Sequence, residues 1–313
     1  MSEQRVILAV DIGGSKYVAG LVKENGEIIS KRRYVWKHIS ADSVVEEISC
    51  AMEELMRENP EVEPSAVGVT IPGLADPLTG TWISACFMKI YNFPIARVLR
   101  ERFHYRVFIE NDCNANAVAE RMYGLCKRTD SFIYLTVSNS IGGALFMNGS
   151  LFRGGYGKAG EFGLCPVDRE VSARKRERGP LENYASGRGL VQTYIGLGGE
   201  RLVNGEPVDG VEITKRARAG EAAACKAFEI EGRYLGRVIA MGCAVLDPEK
   251  VIIGGGLSLA FDQYRDHVIR AVKEEIPAIA DRVPQIQATG LGYDGGLLGA
   301  AAVAVCELKN FGG

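Results

Sequence analysis

The sequence predicts an α/β protein made of two copies of one unit with a cleft between them, and three observations carry that prediction. A strand–turn–strand–turn–strand run, followed by a helix and another strand, opens the chain. The same order restarts near Phe132. The leading turns of the two runs, at 11–16 and 138–143, occupy equivalent places, so two hairpin turns can hold one polyphosphate from both sides.

Each element has a local reason. Residues 5–10 form a short apolar, β-branched run that ends at Asp11, and Gly13 and Gly14 supply the turn into a second strand at 17–22. Asn25-Gly26 is a hairpin signal before a third strand at 27–33. Helical spacing of Val44, Val45, Ile48, Met52, Leu55 and Met56 predicts a helix over 40–57, with Ser40 or Asp42 as its N-cap. A buried strand at 66–71 stops at Pro72-Gly73, a helix at 94–103 leads to a strand at 106–109, and 114–123 reads as a helix. The second run has strands at 132–137 and 143–147 joined by a polar, glycine-containing turn, then a hairpin at Asn148-Gly149. Helices follow near 187–197, 211–219 and 221–246, a strand at 250–253 ends at a triple glycine, and a helix at 264–275, a strand at 285–288 and a final helix from Gly295 complete it.

Composition narrows the function. A chain of 313 residues suits one large core or two domains, and 47% hydrophobic with 24% charged residues marks an ordinary globular protein. A net charge of -2 argues against nucleic-acid and membrane-surface roles, since neither phosphate backbones nor anionic lipids attract such a chain. The basic run Arg174, Lys175, Arg176 and Arg178 alternates with Glu177 and reads as a solvated face. The eight cysteines make no C-x-x-C or C-x-C pair, which suits reduced thiols in a cytoplasmic protein. The polar start predicts no signal peptide, and no run of 18 apolar residues predicts a membrane span.

Five segments carry chemistry. Asp11-Ile-Gly-Gly-Ser-Lys16 lets the backbone of Gly13 and Gly14 approach anionic oxygens, with Ser15 a hydroxyl and Lys16 a charge, and Asp11 suits Mg²⁺; an ordinary polar hairpin turn fits the same residues. Glu110-Asn-Asp-Cys-Asn114 lies where a strand gives way to a helix. There Asp112 can take the proton of an attacking hydroxyl while Asn111 fixes a neighbouring one, and helix capping, with Asn114 as the cap, is the competing role. Glu161 and Glu182 are acceptors that suit adjacent sugar hydroxyls or, equally, plain surface charge. The glycines Gly254, Gly255 and Gly256 could admit a flat adenine, or simply allow tight helix–sheet packing. Gly155-Tyr-Gly-Lys-Ala-Gly160 matches G-x-G-x-x-G without the strand and helix that the dinucleotide motif needs, and is a decoy. With only three histidines, none beside these acids, metal binding by them is poorly supported.

Taken in order, these pieces resemble the ROK family (repressors, open reading frames and kinases) of the sugar kinase, Hsp70 and actin superfamily. The resemblance rests on Val10-Asp-Ile-Gly-Gly-Ser-Lys16, Ile71-Pro-Gly73, Ile109-Glu-Asn-Asp-Cys-Asn-Ala115, Ile141-Gly-Gly143, Ala159-Gly-Glu-Phe-Gly163, Leu181-Glu-Asn-Tyr-Ala-Ser-Gly187 and Ile252-Ile-Gly-Gly-Gly256. It implies duplicated actin/hexokinase-like (ribonuclease H-like) domains around a central cleft, one of 1–114 plus about 296–313 and one of 115–295. It implies ATP-dependent phosphorylation of a hexose or N-acetylhexosamine, of the glucokinase or N-acetylmannosamine kinase type, by a homodimer that uses Mg²⁺. Asp112 is then the base, and Gly73, Asn111, Glu161 and Glu182 bind the sugar. The first turn, together with Asn139, Gly142, Gly143 and the triple glycine, binds ATP.

Three departures stand out. Leu164 occupies the place of a family histidine that touches the sugar and helps hold zinc, which removes a polar contact near the anomeric end. The cysteines that complete that zinc site are replaced by 171–180, so no zinc is expected. Ser138-Asn139-Ser140 replaces the usual Gly-Thr-Gly, a less permissive loop in which Asn139 still donates a hydrogen bond. A non-catalytic sugar-binding or sensing member is the alternative; family regulators carry a helix-turn-helix domain ahead of the first turn, and ten residues precede Asp11.

Overall fold

The computed structural model describes residues 4–167 and 180–310. The basic run 174–178 and the stretch 171–179, to which the zinc expectation refers, lie outside the described residues. The chain divides into two compact units: Met1–Lys127, Arg153–Lys158 and Tyr293–Gly313 form the first, Arg128–Phe152 and Ala159–Gly292 the second. Compared with the division read from the sequence, these units place 115–127, 153–158 and 293–295 with the N-terminal half.

The first unit is built on a five-stranded sheet of β1 (Val6–Ile12), β2 (Lys16–Lys23), β3 (Ile28–Val35), β4 (Ala66–Ile71) and β8 (Val107–Asn111), in the order β3-β2-β1-β4-β8. β1 pairs antiparallel with β2 and parallel with β4, which in turn runs parallel to β8. Leu8, Val10, Val67, Val69 and Ile109 enter a core with α1 (Ala41–Glu58) and α2 (Ile95–Phe103). Ser40 caps α1 in a capping box with Ser43. Against the same sheet pack α3 (Asp112–Met122) and the last helix, α9 (Gly295–Asn310). A small sheet of β5 (Leu74–Asp76), β6 (Thr81–Ala85) and β7 (Ile90–Phe93) was not foreseen, because strands of three to five residues are too short to show a period of two.

The second unit repeats the plan. β9 (Phe132–Val137), β10 (Ile141–Met147), β11 (Ser150–Phe152), β14 (Lys250–Gly254) and β15 (Gln285–Ala288) lie in the order β11-β10-β9-β14-β15, matching the first sheet strand for strand. A two-stranded ladder of β12 (Leu202–Val203) and β13 (Glu206–Pro207) is separate. Ile133, Leu135, Val137, Val251 and Ile253 share a core with α4 (Glu182–Ala185), α5 (Gly187–Gly196), α6 (Gly210–Arg218), α7 (Ala222–Leu246) and α8 (Phe261–Glu275). The helix expected from residue 264 begins at Phe261, after a 3₁₀ turn over Gly256–Ala260. Among the described residues no helix is long and apolar enough to cross a membrane.

Candidate active site

In the first unit the expected site residues gather at the ends of three adjacent strands. β1 carries Asp11, β4 runs into Pro72-Gly73, and β8 ends on Asn111 beside Asp112, the first residue of α3. The Pro72-Gly73 turn is fastened at both of its carbonyls: the buried Trp82 donates Nε1–H to Pro72 O at 2.9 Å, and Asn111 donates Nδ2–H to Gly73 O at 2.8 Å. Gly73 has φ +81°, and a Cβ there would collide with Ser84 O, so glycine is needed on both counts.

Asn111 caps α3, which corrects the expectation that Asn114 does so. Its Oδ1 accepts from Cys113 N at 2.9 Å and Asn114 N at 3.1 Å. The Asn114 amide turns back to Glu110 Oε1 instead, at 3.1 Å. Capping therefore falls to Asn111, and neither Asp112 nor Asn114 is the cap. Asp112 Oδ1 accepts from Cys113 N at 2.9 Å and from Asn111 Nδ2 at 3.0 Å. Loss of hydration, and then the nearby Asp11 charge, push the Asp112 carboxyl up to about 6, against the lowering effect of the Cys113 N–H.

Asp11 is held from two sides. Buried Thr70 donates to Asp11 Oδ1 at 2.6 Å, and α9 comes so near that a Cβ at Gly296 would collide with both carboxylate oxygens. Desolvation raises the Asp11 pKa, with Thr70, Lys16 and Arg33 acting the other way. Beyond it, Gly13 N–H bonds Lys16 O at 2.9 Å and Trp36 Nε1–H bonds Gly13 O at 2.9 Å, while Gly14, Ser15 and Lys16 are exposed at the tip. A turn tied from behind with its tip in solvent suits an anion.

In the second unit the tip of the equivalent turn is Ser138–Ser140, closed by Ser138 N–H to Ser140 O at 3.0 Å, with Asn139 exposed. Gly142 and Gly143 lie within β10, paired with Thr136 and Leu135, so they form a wall rather than a loop. Gly254 ends β14, and Gly255, at φ +79°, passes so close to Val137 O that no side chain fits. Gly187 N–H donates to Ser138 O at 2.6 Å. The expected nucleotide-binding residues of this unit thus come together around one turn. Glu182 Oε2 accepts from Ile141 N at 3.2 Å, and Gly163 lies against the Glu182 side chain, which brings the loop carrying exposed Glu161 and Leu164 to the same end of β10.

Thr70, Trp82, Trp36 and Gly296 were not identified from sequence. Thr70, Trp82 and Trp36 act through hydrogen bonds and Gly296 through close packing on Asp11, and only the fold brings them to the turns. Among the described residues no group of three or more His, Cys, Asp and Glu could hold a metal alone.

Comparison with known proteins adds three kinds of likeness. A family model described as "ROK family" matches residues 7–306. A glucokinase of Streptomyces coelicolor is 30% identical over 315 residues, covering 95% of this chain and 96% of that protein. Two crystal structures share the fold: a ROK hexokinase from Thermus thermophilus, with TM-score 0.81, 32% identity and 97% and 99% of the chains covered, and a ROK glucokinase from Streptomyces griseus in complex with glucose and AMPPNP, with TM-score 0.82, 28% identity and 95% and 98% covered. Relatives also include a xylose repressor of Caldicellulosiruptor bescii, 26% identical over 78% of this chain and 63% of that protein.

Proposed function

Because the chain belongs to the ROK family, we propose that it is an ATP-dependent kinase of a hexose or N-acetylhexosamine, with Asp112 as the general base. The observation that carries this reading is the Asp112 carboxyl, placed where a strand meets a helix and raised to about 6. Such a group is ionised at neutral pH and still basic enough to take a proton from a hydroxyl. The reading gains support from the glucose and AMPPNP held by the Streptomyces griseus relative.

In the proposed reaction a sugar hydroxyl oxygen attacks the γ-phosphorus of ATP. The bond to the β–γ bridging oxygen breaks, Asp112 receives the hydroxyl proton, and the products are sugar phosphate and ADP. On this reading Gly73 and Asn111 fix the acceptor beside Asp112, and the expectation for Glu161 and Glu182 is that they accept from sugar hydroxyls. The Asp11–Lys16 turn takes phosphate oxygens, as do Asn139, Gly142 and Gly143, with Gly254, Gly255 and Gly256 on the adenosine side. Asp11 would hold Mg²⁺ as a single carboxylate, which suits a cation that seldom uses an all-protein cage. When bound, Mg²⁺ would neutralise charge on the transferred group.

The chemistry of a sensing member differs only in lacking turnover, so the test is turnover itself. A coupled ADP-release assay across hexoses and N-acetylhexosamines should find at least one substrate. Saturable sugar binding with no ADP from any of them would favour the sensing alternative instead.

A further inference from the structure

We infer that Arg153 is a positioning residue for the Asn111–Asp112 turn, acting through the buried carboxylate of Glu110; the inference rests on the kinase reading above. Glu110 lies on β8 and is 1% exposed. Its Oε1 accepts from Asn111 N at 2.9 Å and Asn114 Nδ2 at 3.1 Å. Its Oε2 accepts from Arg153 Nε at 2.8 Å and from a terminal guanidinium nitrogen at 2.6 Å. The arginine thus grips one oxygen and the catalytic turn hangs from the other.

Arg153 reaches this place because Arg153–Lys158 belongs to the first unit although the residues on either side belong to the second. A carboxylate so deeply buried is costly unless a cation and several donors satisfy it. Without the guanidinium, Oε2 loses the two nitrogens that hold it, and the side chain must turn to find other donors. That turn weakens its hold on Asn111 N–H, and with it the cap of α3 and the aim of Asp112. A shift of about 1 Å at a base costs on the order of a hundredfold in rate.

The test is a double-mutant cycle on the full chain with Arg153→Met, Glu110→Gln and their combination, plus Arg153→Lys as the milder variant. With the sugar that the wild type turns over, Arg153→Met should lower kcat by roughly 30–100-fold while leaving KM for ATP within about twofold. Arg153→Lys should recover at least about fivefold of that loss, because it restores the charge but not the fork. The combined variant should be no slower than the worse single one, since both act on one route. Amide exchange supplies an arm that does not need activity: Asn111, Cys113 and Asn114 should lose protection in Arg153→Met, while β9 and β14 keep theirs. Multiplicative losses in the cycle, unchanged kcat with only a lower Tm, or protection lost evenly over both units would each overturn the inference. If the wild type turns over no sugar, the kinase reading falls, and the exchange pattern alone decides on Arg153.

Discussion

The two units share a strand order but place their buried carboxylates differently. In the first, buried Glu110 and half-buried Asp11 and Asp112 sit at or near strand ends, and each is met by donors: Thr70 for Asp11, Arg153 and Asn111 for Glu110, the Cys113 N–H for Asp112. In the second, Glu231 is fully buried within α7, and neither of its oxygens has a hydrogen-bond partner among the described residues. Burial holds the Glu231 pKa well above the ordinary value, because desolvation disfavours the charged form. A carboxylate ringed by donors is held in one place, whereas a buried one with none is a burden on stability. Depth of burial alone does not tell the two apart.

That contrast can be broken at three points. The largest effect should come from Asp112→Asn, which removes the proposed base but keeps the shape: kcat/KM should fall by about a thousandfold with Tm nearly unchanged. In the wild type, log kcat/KM should rise with pH and level off near 6, because the free enzyme's base must be ionised. The Asn variant should lack that limb, and a limb surviving in it would assign the base elsewhere.

Next in size is Gly296→Ala, whose methyl must displace the Asp11 carboxylate. The expected outcome is a fall of about tenfold or more in kcat/KM for ATP with KM for the sugar little changed. Equal losses toward both substrates would mean that Asp11 serves the sugar as well.

The smallest effect, and the one opposite in sign, is expected at Glu231→Met, which should stabilise the protein by about 1–3 kcal/mol at pH 8. A carboxyl whose pKa is raised on folding contributes most below its unfolded value, near 4.5, and that contribution is lost as pH rises. The gap between variant and wild type should therefore widen from pH 4 to pH 8, as denaturant titrations would show. A destabilised Met variant would reveal a partner for Glu231 and end the contrast.

The sequence was most legible where residues are close in the chain. Strands 66–71 and 132–137 emerged with the bounds expected of them, because both are unbroken apolar runs between clear stops. The duplicated order was visible for the same reason. Long-range hydrogen bonds were not. Nothing near Arg153 hints at Glu110, 43 residues away, and Thr70 looks like any β-branched strand residue until β1 lies beside it. The cap of α3 was misplaced by three positions because the motif holds two asparagines, and which one turns inward depends on the Glu110 carboxylate.

The first unit is assembled from three separated stretches of chain, and its closing piece is α9, which packs on β1, β4, β8 and α3. During synthesis the chain delivers this unit's opening strand before the second unit and α9 after it. A ribosome-bound chain that stops before Gly295 has every strand of both sheets but no α9 against the first unit's sheet, and no Gly296 beside Asp11. The unit begun first is thus completed after the other, and the Asp11 carboxylate gains Gly296 as a neighbour only once every residue of the second unit has been made.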